Sequence, residues 1–237
     1  MIILSKKRFG IISTILLISL FVFVFQVASS KQTVQTVSLP VSNKVIVLDA
    51  GHRKPDEGAQ SSNGTTEAET NLKITLKVQS LLEQSGATVV LTRSDENAIY
   101  DLDKTTLRQK KISDIHNRVK IGNESSADIF VSIHLNKISQ QQYYGWQCFY
   151  KQNDEKSTAL AKSLQENLND SIQKENKRVS MKLDNVYIIK HVEIPISIVE
   201  CGFLSNPEEL KALQDDGYQK KAVQCILDGI ESYLADI

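Results

Sequence analysis

The sequence predicts an α/β fold, a single domain with a central, mostly parallel mixed sheet of about six strands and helices on both faces. Two observations carry that expectation. Short apolar runs rich in Val and Ile alternate along the chain with longer amphipathic runs of helical period, the pattern of strands joined by crossover helices. The chain has 237 residues, which, less an N-terminal leader, is the size of one large domain. Hydrophobic residues at 41% and charged residues at 24% leave enough apolar side chain for a sizeable core.

Taken in order, Lys6, Lys7 and Arg8 precede an apolar stretch at 9–27 that includes Leu16, Leu17, Phe21, Phe23 and Phe25. A basic flank followed by an apolar run is an export signal, and Ala28, Ser29 and Ser30 supply the small residues of a cleavage site. The run approaches the roughly 20 residues that span a bilayer. Residues 1–30 are therefore expected to act as a cleaved signal peptide or a retained membrane anchor. Either way the basic flank stays in the cytoplasm, and the rest of the chain reaches the outer face of the membrane or the cell wall. Residues 31–43, rich in Ser, Thr, Gln and Val without helical period, read as a linker.

The folded domain, 44–237, opens with a strand at 45–48. A helix follows from near Thr66 to Ser85, with Gly86 as its stop. Next come a strand at 88–92, a long polar loop, a helix at 107–124 and a β-rich run at 129–133. A strand at 145–150, a helix at 155–172 and two short strands at 186–189 and 196–199 precede helical segments after Pro207.

Lys plus Arg and Asp plus Glu each number 28, so the formal net charge is zero. Without a basic field to gather phosphate backbones, nucleic acid is not an expected partner. Cys148, Cys201 and Cys225 have no C-x-x-C spacing and are odd in number. No disulfide framework is implied, and Cys148 and Cys201, in apolar strand-like runs, read as small buried hydrophobes.

The reactive side chains fall where an open α/β sheet places its sites, at the carboxyl ends of strands. His52 follows the 45–48 run, His134 follows the 129–133 run, and the 196–199 run leads into Glu200. Glu67 opens the helix after the His52 loop. A lone histidine at a strand end is usually a satisfied polar residue, but two of them converging with two carboxylates point to a metal. Two imidazoles and one carboxylate form the N/O ligand set that zinc favours, with a fourth position left for water. His116, in a charged helical stretch, and His191, expected in a loop, read as solvated or structural. Asp49 and Asn136 are candidates for orienting the histidines by hydrogen bonds, although turn or strand-end capping explains either nearly as well.

Three ordered motifs, Leu48-Asp-Ala-Gly-His52, Ser132-Ile-His-Leu-Asn136 and Val199-Glu-Cys-Gly-Phe-Leu-Ser-Asn206, resemble the signatures of zinc-dependent N-acetylmuramoyl-L-alanine amidases. Thr92-Arg93, Arg118, Asn123, Ala127 and Asp128 belong to the same likeness, which runs from Lys44 to the C-terminus. Within the family the chain is most similar to the short sporulation-type amidases that help make muramic lactam in spore cortex. The resemblance implies that His52, Glu67 and His134 bind Zn2+ and that Glu200 assists the reacting water. It also implies a peptidoglycan substrate. Glu69 competes with Glu67 by position, but two residues along a helix turn it about 200° away.

Arg53 and Lys54 stand where the family usually has glycines, which puts bulk and charge at the expected substrate entrance. Gly122 stands where alanine is common. Two other functions fit the scaffold: a zinc peptidase cutting within the stem peptide, and a noncatalytic wall- or partner-binding module. Possession of all three ligands plus Glu200 argues against the second. The sequence names no activating or recruiting protein, although an exported one would fit, and it leaves the oligomeric state open.

Overall fold

The structure is a computed structural model that describes residues 10, 13–22, 39–172 and 176–237. Of the expected leader, 13–22 is helical. The cleavage site and most of the linker lie outside the described residues. Among the described residues no helix is long and apolar enough to cross a membrane.

Leu39–Ile237 forms one compact unit. Its strands are β1 (Val45–Ala50), β2 (Thr88–Leu91), β3 (Ile129–Asn136), β4 (Gln147–Lys151), β5 (Met181–Leu183) and β6 (Ile196–Phe203). Its helices are α1 (Glu67–Gln84), α2 (Leu107–Glu124), α3 (Glu155–Ser171), α4 (Tyr187–His191), α5 (Pro207–Gln214) and α6 (Asp216–Ala235). The sheet order is β2-β1-β3-β6-β4-β5. Strands β2, β1, β3 and β6 pair in parallel, β4 runs antiparallel to β6, and β5 lies parallel to β4 at the edge. The expected mostly parallel mixed sheet is present.

Local chemistry sets the helix ends. The Thr66 side chain accepts the Glu69 N–H at the start of α1, and Thr106 with Gln109 forms a capping box at the start of α2. Helix α1 stops at Ser85, where Gly86 takes φ +90°.

Alternation along the strands sorts the two sheet faces. Ile46 and Leu48 of β1, Ile129, Val131 and Ile133 of β3, and Val199 and Cys201 of β6 join α1, α3, α5 and α6 in the larger core. Val47, Phe130, Ile196 and Ile198 point the other way. They pack into a smaller core closed by Val119 of α2 and Ile188 and Ile189 of α4. Continued along each strand, the same alternation puts Asp49, Ser132, His134 and Glu200 on this second face, just beyond its apolar cover.

Several expected elements are redrawn. The strand expected at 186–189 is helix α4, and His191 is its last residue rather than part of a loop. Val-Tyr-Ile-Ile favours a strand by local preference, yet Ile188 and Ile189 are adjacent and both buried, which strand alternation would forbid. The edge strand is instead Met181–Leu183, too short and too polar to register as a strand in the sequence. Strand β4 begins at Gln147 because Gly145 takes φ +104°. Strand β3 continues to Asn136 and β6 to Phe203, so His134 and Glu200 lie inside strands rather than just past them. Gly122 is more than a neutral exchange: a Cβ there would come within 2.8 Å of the Phe130 ring. All three cysteines are buried and free.

Candidate metal centre and active site

The site is built around the chain segment that leaves β1. Two buried arginines hold its carbonyls: Arg93 donates to Ala50 O at 2.8 Å and to Gly51 O at 3.3 Å, and Arg118 donates to Ala50 O at 2.8 Å and His52 O at 3.1 Å. Arg118 is balanced by Asp49 and Asp114, each at 2.7 Å. Thr92 and Ser132 hydroxyls also donate to Asp49, each at 2.6 Å. Burial alone would raise the Asp49 pKa, but the Arg118 cation and these hydroxyls outweigh it and hold the carboxyl well below its ordinary range. Asp49 is thus linked to His52 through Arg118, which holds the His52 carbonyl, and its charge also acts on His134 directly.

On this frame three donor atoms converge. Glu67 Oε1 lies 3.0 Å from His134 Nδ1 and 3.4 Å from His52 Nε2. Together the three side chains could hold a metal ion, with their ligand atoms all within 4.8 Å of one another. A tetrahedral ion with bonds of about 2.0–2.2 Å separates its ligand atoms by roughly 3.3–3.6 Å, so the set is close to a chelating geometry. Glu67 is fixed at the first position of α1, where its Oε2 accepts the Ala59 N–H at 2.9 Å and its Oε1 the Leu135 N–H at 3.2 Å. Burial raises the Glu67 pKa, but His134 and His52 reverse the shift and hold the carboxyl below its ordinary value.

Two glycines make the approach possible. A Cβ on Gly51 would collide with the His134 ring, and one on Gly58 would collide with Glu67 Oε2 and the His52 ring. Gly51→Ala is therefore expected to push His134 out of line and weaken metal binding by about tenfold or more. Metal titration, alongside a melting curve showing that the variant still folds, checks this.

Glu200 is the register partner of His134 across β3 and β6. Its Oε2 is buried with no hydrogen-bond partner among the described residues. Burial, reinforced by the Glu67 charge and opposed by the two histidines, pushes its pKa up to about 7. Glu200, His52 and His134 line one part of a cleft of about 350 Å³, whose apolar wall includes Ile115, Leu183, Val186 and Ile188.

The remaining candidates have different surroundings. Glu69 is exposed and paired with Lys73 at 2.6 Å. Asn136 is held through its backbone, its carbonyl accepting the Leu204 N–H. His116 and His191 are exposed and stack on Tyr187, with ring centroids 4.7 and 4.0 Å apart. Arg53 and Lys54 line the same cleft as Glu200, as expected, but their charges are engaged: Arg53 is 2% exposed and paired with Asp114, while Lys54 is tied to Glu96 at 2.8 Å. Asn123 and Asp128 brace the fold, Asn123 donating to the His191 carbonyl and Asp128 accepting the Val45 N–H. Among the residues that the sequence did not single out, Asp56 stands beside a histidine, its Oδ2 3.3 Å from His52 Nδ1, and Tyr100, Lys111 and Asp114 also line the cleft. A carboxylate returning behind Pro55 towards the histidine was the available signal.

The profile of a family described as N-acetylmuramoyl-L-alanine amidase matches residues 46–232. The chain belongs to that family. It is accordingly an amidase acting on peptidoglycan. The germination-specific N-acetylmuramoyl-L-alanine amidase of Bacillus subtilis is 32% identical over 220 residues, 93% of this chain and 92% of that protein. The CwlD amidase of Clostridioides difficile, solved in complex with the GerS lipoprotein, is 43% identical with a TM-score of 0.80, covering 82% of this chain and 100% of that one. An N-acetylmuramoyl-L-alanine amidase from Clostridium difficile 630 is 27% identical with a TM-score of 0.72, covering 82% of this chain and 98% of that one.

Proposed function

We propose that the chain is a zinc-dependent sporulation amidase. It hydrolyses the amide between N-acetylmuramic acid and L-alanine, with zinc held by His52 Nε2, Glu67 Oε1 and His134 Nδ1. The observation that carries this reading is the convergence of these donors beside Glu200, whose Oε2 is buried without a hydrogen-bond partner among the described residues. Two imidazoles and one carboxylate suit zinc and leave a coordination position open to the reaction. When bound, zinc polarises the scissile carbonyl and acidifies the attacking water. Glu200 accepts the proton from that water and delivers it to the departing L-alanine nitrogen. Arg93 and Arg118 keep the His52 segment from relaxing, and the apolar wall of the cleft limits water around the substrate.

Likeness to a germination-specific amidase and to CwlD supports a role in removing stem peptides for muramic-lactam formation in spore cortex. The basic and apolar leader supports export and action at the outer membrane face or in the spore envelope. Because CwlD was solved with a lipoprotein, an exported lipoprotein is the kind of partner that would recruit or activate this chain.

Purified protein incubated with defined muropeptides, with and without zinc, tests the reaction by product mass. The expected product, formed only with zinc, is the intact stem peptide with a free L-alanine amine. Fragments cut within the stem would reassign the chain as a zinc peptidase. Absence of any released peptide from zinc-loaded protein would make it a noncatalytic binding module.

A further inference from the structure

We propose that Asp56 is a positioning residue for the metal centre, fixing the His52 ring through its outer nitrogen, with Lys111 of α2 holding Asp56 in place. The inference rests on the zinc reading of the site. His52 turns Nε2 towards Glu67 Oε1, which leaves Nδ1 facing away from the metal position, 3.3 Å from Asp56 Oδ2. The Asp56 carboxylate divides its oxygens: Oδ2 meets His52, while Oδ1 pairs with Lys111 Nζ at 2.8 Å and faces the Gly58 N–H at 3.4 Å. A chain of contacts therefore runs from helix α2 through a lysine and a carboxylate to one ligand.

Local chain geometry explains how a carboxylate four residues on comes back to the histidine. The Arg53 N–H donates to the Asp56 carbonyl at 2.7 Å, closing residues 53–56 into a tight turn. The turn returns Asp56 to the same side as the His52 ring.

The two histidines differ in how they are held. His134 sits inside strand β3, its ring edge packed on Gly51 and its Nδ1 on Glu67. His52 stands beyond the end of β1 with φ +57°, where no strand ladder sets its direction. An imidazole that binds through Nε2 carries its proton on Nδ1. A carboxylate accepting that proton fixes the tautomer and ring rotation and strengthens Nε2 as a donor. Asp56 supplies this for the histidine whose backbone supplies least.

The test measures zinc affinity of the full chain by competition with a chromophoric chelator, alongside melting of the metal-free protein, for Asp56→Ala and Asp56→Asn. Asp56→Ala is expected to raise the zinc Kd about 10–100-fold. Asp56→Asn should recover part of the loss, because its side-chain carbonyl still accepts the Nδ1 proton, and metal-free melting should change little in both. A zinc Kd within twofold of wild type for Asp56→Ala would overturn the inference. So would equal losses in both variants that track lowered metal-free stability, since that marks a role in the turn alone. If Asp56→Ala does not fold, Asp56→Asn decides by itself: a severalfold rise in Kd at unchanged metal-free melting supports the proposal, and an unchanged Kd overturns it. Failure of the wild-type chain to bind zinc would remove the metal reading along with it, an outcome distinct from failure in the Asp56 variants only.

Discussion

Glu200→Gln is expected to keep its metal and lose turnover by a factor on the order of 10² or more. The substitution preserves shape and an acceptor oxygen but removes the group that takes and returns the proton. The three ligand side chains are untouched, because Glu200 lies across the β3–β6 ladder from His134 and is not among the converging ligand atoms. Glutamine also takes the charge out of a buried position, so folding stability should hold or rise slightly. Zinc content by elemental analysis and turnover on a muropeptide form the paired measurement. Near-normal turnover would remove Glu200 from the proton-transfer role.

The second large effect is expected at His134→Ala. Loss of one nitrogen from a three-ligand set leaves Glu67 Oε1 with His52 and the Leu135 N–H, a pair of side chains rather than a chelating triad. Bound zinc after dialysis should fall several-fold and turnover by roughly 10³-fold or more, since both nucleophile activation and carbonyl polarisation depend on the ion. A thermodynamic readout accompanies it. A ligand that binds only the folded state stabilises it by about 2.7 kcal/mol at a hundred times its Kd. Zinc should therefore raise the melting temperature of the wild-type chain and leave His134→Ala nearly unmoved. Full stoichiometric zinc in the variant would strike His134 from the ligand set.

The fold was legible because its signals are periodic. Helix α2 occupies the span its pattern indicated, and α1 begins one residue after Thr66, which serves as its cap. Strand alternation also explains why separated residues share a face: Asp49, Ser132, His134 and Glu200 follow the same period as Val47, Phe130 and Ile198. What failed was short and decided by packing. Residues 186–189 look like a strand from β-branched content, but burial of both Ile188 and Ile189 beneath α2 favours a helical turn, and the tertiary contact wins over local preference.

At the site, histidines and carboxylates near strand ends could be picked out one by one, whereas their connections could not. The interaction of Asp49 with Arg118, and of Arg118 with the His52 carbonyl, links positions far apart in sequence. Arg53 does line the cleft, but the sequence could not reveal that Asp114 pairs with its charge there. Asp56 was legible only in part: a carboxylate four residues after His52 is visible in the sequence, but the tight turn that returns it to the ring is not.

The central claim, three zinc ligands with one separate proton-handling carboxylate, is tested most directly by crystals grown with zinc and an anomalous difference map recorded across the zinc edge. The account predicts one strong peak at about 2.0–2.2 Å from His52 Nε2, Glu67 Oε1 and His134 Nδ1, with the Glu200 carboxylate facing the ion without binding it. A peak away from these three atoms, or one bound by Glu200 in place of Glu67, would contradict it.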